Sequence, residues 1–126
     1  MKFKNVLLAS DFDGTLKNDE GIITPDVIEK IQYFIEKGGL FTVCTGRIYQ
    51  GFHLYSPEYI NAPVLLGNGA MAYDYEKEKV IFNDAIGDEG FPAINDVLKA
   101  FPDISIEFYN FNKVCAINLN SHSEQH

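Results

Sequence analysis

Cysteine is scarce in this chain: Cys44 and Cys115 are the only two. Each lies in an apolar run, so the expectation is two buried thiols and no disulfide framework. Basic residues are also few, with 10 Lys and Arg against 18 Asp and Glu and a formal net charge of -8. No Lys/Arg cluster offsets that balance. An acidic surface repels nucleic acid and anionic lipid, so neither is an expected partner. No apolar run approaches the length of a membrane span. The opening Met1-Lys2-Phe3-Lys4-Asn5 is too short and broken for a signal peptide, so the expected compartment is the cytoplasm. Histidine is too sparse for a metal centre: His53 has no metal-type partner nearby, and His122 and His126 fall in the last residues.

What is present describes a globular domain. The 126 residues are 46% hydrophobic, enough for a real core. Val6 to Ser10 reads as a short buried strand. Leu16 to Ile23 holds the polar turn Lys17-Asn18-Asp19-Glu20-Gly21 between apolar flanks and reads as a small flap. Thr24-Pro25 starts a helix, with Thr as N-cap and Pro in the first turn, and Gly38-Gly39 ends it. Leu40 to Cys44 is a second strand. A short helix follows Thr45-Gly46-Arg47 and stops near Ser56-Pro57, and Val64-Leu65-Leu66 is a third strand. Strands alternating with helices indicate an α/β fold: a parallel, Rossmann-like sheet with crossover helices. The pattern then changes to a hairpin around Glu76 to Lys79, a helix from about Phe91 to Phe101 and a second hairpin after Ser105.

Asp11-Phe12-Asp13-Gly14-Thr15 carries the chemistry. Two carboxylates leave the end of an apolar strand and enter a glycine turn. A turn alone explains Asp and Gly there. Yet carboxylates at the end of a buried strand are costly unless they have a task. Asp11 is placed to attack a phosphate monoester, with a magnesium ion offsetting the charge repulsion. Asp13 is placed to protonate the leaving alcohol and then to activate water. Gly14 permits the turn, and Thr15 can hydrogen-bond the turn or a phosphoryl oxygen. In parallel sheets ligands bind outside the carboxyl ends of the strands, and Asp11, Thr45 and Asn68 all fall at such ends. Thr45 alone would be a plain N-cap; beside Asp11 it reads as a phosphate donor. Gly46 and Arg47 open a helix whose free N–H groups favour an anion. Arg47 can pin either substrate or a local carboxylate, and the sequence leaves both open.

Asp11-Phe12-Asp13-Gly14-Thr15-Leu16, then Cys44-Thr45-Gly46-Arg47, then Gly67-Asn68-Gly69-Ala70 resembles the haloacid-dehalogenase (HAD) superfamily, in its Cof-like branch of phosphatases. The resemblance runs from about Val6 to Ala70. It implies Asp11 as nucleophile, Asp13 as acid/base and Thr45 as phosphate ligand, with Mg2+ held by the Asp11 carboxylate and the Asp13 carbonyl. It implies a small phosphorylated metabolite as substrate. It divides the chain into a partial core at 1–71, the start of an α+β cap at 72–119 and a tail at 120–126. The family's later lysine and further metal-binding acids have no counterpart here. The expectation is therefore an N-terminal portion that is weakly active or inactive alone, either binding an anion or metal without turnover or self-associating through its incomplete core.

Overall fold

The computed structural model describes residues 1–55, 59–111 and 113–120. The chain divides into two compact units, Met1–Asp84 and Ala85–His126.

The first unit is built on a five-stranded sheet. Strand β1 is Leu7–Asp11, helix α1 Pro25–Glu36, strand β2 Leu40–Cys44, helix α2 Tyr49–Phe52 and strand β3 Val64–Leu66. A 3-10 turn at Gly67–Gly69 leads into β4 (Met71–Asp74) and β5 (Lys79–Asn83). The strands lie side by side in chain order. β1, β2 and β3 run parallel, with Leu7 opposite Leu40 through to Asp11 opposite Cys44, and Cys44 opposite Leu65. β4 and β5 add antiparallel, so the sheet is mixed. The helices follow the local signals. Pro25 opens α1 beyond Thr24, Ile31 is buried, and Val27, Ile28, Phe34 and Ile35 are half-buried on the same stripe.

The core gathers around β2 and β3, where Phe12, Phe41, Val43, Phe52, Val64 and Leu66 are fully buried. β1 departs from expectation. Val6 to Ser10 reads as a buried strand, yet Leu7 is 60% and Leu8 48% exposed. The reason is position: β1 is the outermost strand of the sheet and pairs on one side only, with β2. The hairpin of β4 and β5 belongs to the first unit, since β4 pairs with β3; the division between the units falls after Asp84, whereas the sequence reading draws its boundary after residue 71.

The second unit holds helix α3 (Gly90–Ala100) and an antiparallel pair, β6 (Ile106–Tyr109) and β7 (Val114–Ile117). β7 is exposed along its length, and with it Cys115; Cys44 is half-buried. The expectation of two buried thiols is therefore corrected: a two-stranded ribbon covers only what a helix or second layer lies against. The expected helix stop near Ser56-Pro57 and most of the tail, including His122 and His126, lie outside the described residues. Among the described residues no helix is long and apolar enough to cross a membrane.

Candidate active site

The parallel register of β1, β2 and β3 sets the site. Because Asp11 pairs in register with Cys44, the residue that follows β2, Thr45, emerges beside Asp11. Thr45 N–H donates to the Leu65 carbonyl (3.0 Å), and Gly67 N–H to the Arg47 carbonyl (2.9 Å), which holds the turn after β3 against the turn after β2. Asn68 N–H donates to the Thr45 carbonyl at 3.1 Å. Asn68 itself sits in the left-handed region at φ 56, a conformation Asn tolerates better than most residues. A cleft of about 290 Å³ results, lined by Asp11, Cys44, Thr45, Gly46, Leu65, Asn68 and Gly69.

Four of the sequence-predicted site residues, Asp11, Thr45, Gly46 and Asn68, thus share one cleft wall. Gly46 lies close to Asn68 there. A Cβ at this position would stand 3.0 Å from the Asn68 amide oxygen, so a side chain would push Asn68 away. The buried Thr45 hydroxyl accepts a hydrogen bond from the Arg47 N–H at 3.1 Å. That bond uses a lone pair of the hydroxyl and not its proton. Thr15 Oγ1 donates to Asp11 Oδ2 at 2.9 Å, fixing one carboxylate oxygen of the candidate nucleophile.

Asp13, Gly14, Thr15 and Arg47 are not part of the cleft lining. Asp13 and Arg47 instead meet each other. Arg47 Nε donates to Asp13 Oδ2 at 2.6 Å and Nη2 to Oδ1 at 2.8 Å, a two-pronged pair across 34 positions of chain. Arg47 Nη1 also donates to the Gly51 carbonyl at 3.2 Å. Of the two roles open to Arg47 in the sequence, this structure has it pinning a carboxylate. Hydrogen bonding from Arg47 holds the Asp13 carboxyl below the usual aspartate range, and the nearby Lys17 ammonium adds to the effect. Lys17, Phe12 and Tyr55 belong to the same cluster and are not legible as site residues in the sequence. Lys17 lies in a run of polar and acidic residues that reads as a solvated turn. Cys44 and Leu65 enter the cleft wall through the pairing of β2 with β3.

Oxygen donors are what a hard divalent cation prefers, and the Asp11 carboxylate and the Asp13 carbonyl are the oxygens that the family resemblance implies as ligands. The donors fit in kind and are few in number. Among the described residues no group of three or more His, Cys, Asp or Glu side chains is arranged to hold a metal.

Comparison with known proteins identifies the family. A profile of the haloacid dehalogenase-like hydrolases matches residues 8–126. The chain is 31% identical over 117 residues to 5-amino-6-(5-phospho-D-ribitylamino)uracil phosphatase YitU of Bacillus subtilis, covering 92% of this chain and 41% of that protein. It is 30% identical over 79 residues to the pyridoxal phosphate phosphatase YbhA of Escherichia coli, covering 62% of this chain and 29% of the relative. Among solved structures, the HAD-superfamily phosphatase BT1666 of Bacteroides thetaiotaomicron superposes with a TM-score of 0.78 at 24% identity, over 98% of this chain and 45% of that one. The chain therefore spans less than half the length of the proteins it matches. With its Asp-Phe-Asp-Gly-Thr turn after β1 and its Thr-Gly-Arg turn after β2, this chain belongs to the haloacid dehalogenase-like hydrolase family.

Proposed function

We propose that the chain carries the nucleophile half of a phosphatase site that hydrolyses small phosphorylated metabolites. The single observation that carries this reading is the cleft shared by Asp11, Thr45, Gly46 and Asn68 at the carboxyl ends of three parallel strands. An Asp11 oxygen attacks phosphorus, the ester P–O bond breaks, and an aspartyl-phosphate forms. The leaving alkoxide takes a proton from Asp13. Asp13 then removes a proton from water, whose oxygen attacks phosphorus, releasing phosphate and restoring Asp11. The pair with Arg47 favours the ionised Asp13, the form that deprotonates water, so Asp13 has to take up a proton against this pairing before it serves the leaving alkoxide. Thr15 orients the Asp11 carboxylate so that its other oxygen faces the reaction. Thr45 supplies a hydroxyl proton, and Gly46 and Asn68 shape the wall for an anion. Mg2+, held by the Asp11 carboxylate and the Asp13 carbonyl, would neutralise charge on the phosphoryl oxygens. Asp11→Asn keeps the shape and removes the nucleophile.

The family resemblance implies two protein oxygens of this chain as ligands, so magnesium binding by this chain alone is expected to be weak and largely hydrated. The chain alone is expected to turn over slowly or not at all, since missing electrostatic donors each cost about a hundredfold to a thousandfold in rate. The test measures phosphate release from a generic monoester, with and without magnesium, by this chain and by any longer form of the protein. Turnover that depends on magnesium and vanishes in Asp11→Asn is the expected result for the longer form. Turnover by either form that survives Asp11→Asn would overturn the reading. The relatives bear different substrate names, a ribitylaminouracil phosphate and pyridoxal phosphate, so the substrate class is put no finer than small phosphate monoesters.

The open edge of β1 favours a second reading, in which another copy of the chain completes the sheet. Leu7 and Leu8 are exposed on a strand paired on one side only, a ready template for strand addition.

A further inference from the structure

Lys17 is an unusual residue for its place. It stands in the flap after the Asp-Phe-Asp-Gly-Thr turn, in a run that includes Asp19 and Glu20, yet its side chain is only 10% exposed. Lysine is seldom buried without a partner. Its ion pair is with Asp13, at 3.6 Å, and not with the acids of its own loop. Its ammonium donates a hydrogen bond to the Tyr55 hydroxyl at 3.0 Å. The Arg47 guanidinium lies over the ring of the same tyrosine, 5.2 Å from its centroid, and Arg47 grips both oxygens of Asp13.

The four residues close a ring: Asp13 to Arg47, Arg47 to Tyr55, Tyr55 to Lys17, and Lys17 back to Asp13. The fully buried ring of Phe12 is its floor. Lys17 Nζ lies 5.3 Å and the Arg47 guanidinium 5.7 Å from the Phe12 centroid, and the Tyr55 ring meets Phe12 edge-on at 4.8 Å. Two cations packed on one ring repel each other. Here the Asp13 carboxylate interacts with both, at 2.6 Å from Arg47 and 3.6 Å from Lys17, which relieves the repulsion. A carboxylate on a glycine turn is free to rotate, and a single arginine has rotamers of its own. Closing the ring removes both freedoms.

We propose that Lys17 and Tyr55 are positioning residues that hold Asp13 for proton transfer, by bracing Arg47 and tying the flap to the segment after α2. The proposal deepens the phosphatase reading and rests on its assignment of Asp13. A lysine that served only to neutralise the flap would need neither the burial nor the hydroxyl. A tyrosine that served only as packing would need no oxygen.

The test uses the ¹⁵N-labelled 126-residue chain and needs no turnover, so it is read independently of whether the chain hydrolyses phosphate. The probe is the Arg47 Nε–H signal, identified by its loss or shift in Asp13→Asn, and its rate of exchange with water. Lys17→Met and Tyr55→Phe are each expected to speed that exchange about tenfold, the factor set by losing one charge-assisted hydrogen bond. Lys17→Arg is expected to keep the wild-type rate, and the amides of α1 are expected to exchange as before in all variants. Tyr55→Phe keeps the ring on Phe12, so it decides the matter if Lys17→Met does not fold. An unchanged Arg47 signal in Tyr55→Phe overturns the proposal. So does a parallel acceleration of the α1 amides, which would show an effect on fold stability alone. Phosphate release that survives Asp11→Asn, alongside the expected pattern, would leave the ring standing and count only against the phosphatase reading.

Discussion

Asp13 and Gly14 stand side by side with opposite requirements. Asp13 is held by its partners, whereas Gly14 is held by its own backbone. Gly14 has φ +73, and a Cβ added to it would meet nothing within 4 Å. The demand for glycine is therefore conformational and not steric. Gly14→Ala is expected to cost about 1 kcal/mol, the price of a left-handed backbone for a residue with a Cβ. Gly14→Asn should cost less, since Asn enters that region more readily. Urea denaturation of the three proteins checks the order. At Gly46 the demand is reversed: the obstacle is the Asn68 side chain, so Gly46→Ala acts on the cleft wall.

At the scale of elements, α2 and β4 are joined by tyrosines. Tyr49 of α2 lies 4.7 Å from Tyr73 of β4 between ring centroids, and Tyr73 lies 4.8 Å from Tyr75. A helix of four residues has little stability of its own; these contacts and the buried Phe52 hold it. A hydrogen bond with Tyr49, then burial, raises the Tyr73 phenol from 10.0 to about 12. The folded state thus favours the neutral phenol. Its contribution is fully present below the unfolded value near 10 and is lost as pH rises toward 12. Burial likewise pushes the Tyr75 phenol up. Stability followed by circular dichroism is expected to fall steeply across this alkaline window. Tyr73→Phe should flatten the fall; an unchanged slope would mean that other groups govern it.

For the whole molecule, the sheet of the first unit ends on one side at β1, and nothing in the described chain pairs with its outer edge. If another copy completes the sheet, light scattering should give a mass above that of one 14.2 kDa chain. Leu8→Lys should return it to a monomer, because an edge lysine opposes strand addition and Leu8 is already half exposed. A monomeric wild-type chain would remove the second reading and leave the first untouched. The net charge of -8 sets a limit on such association, since like-charged copies repel and added salt should favour it.

Much of the first unit was legible from local signals. Leu40–Cys44 and Val64–Leu66 occupy the residues that their apolar runs mark, and α1 begins at Pro25 as its N-terminal signal requires. Short apolar runs, glycine turns and N-caps act within a few residues, so the sequence alone determined these elements, and with them the strand-end turns that carry Asp11 and Thr45. Their meeting in one cleft followed from parallel pairing, which alternating strands and helices imply. Neighbours in space were another matter. Val6 to Ala9 is equally apolar whether its strand is central or outermost, and only the sheet order decided that β1 is an edge. The β4–β5 hairpin joined the first unit through pairing with β3, which no local pattern encodes. Arg47 could have faced a substrate or a carboxylate, and Lys17 looks in sequence like any solvated lysine. Arg47 meets Asp13 across 34 positions of chain and Lys17 meets Tyr55 across 38, and only the folded backbone brings such groups within hydrogen-bond reach.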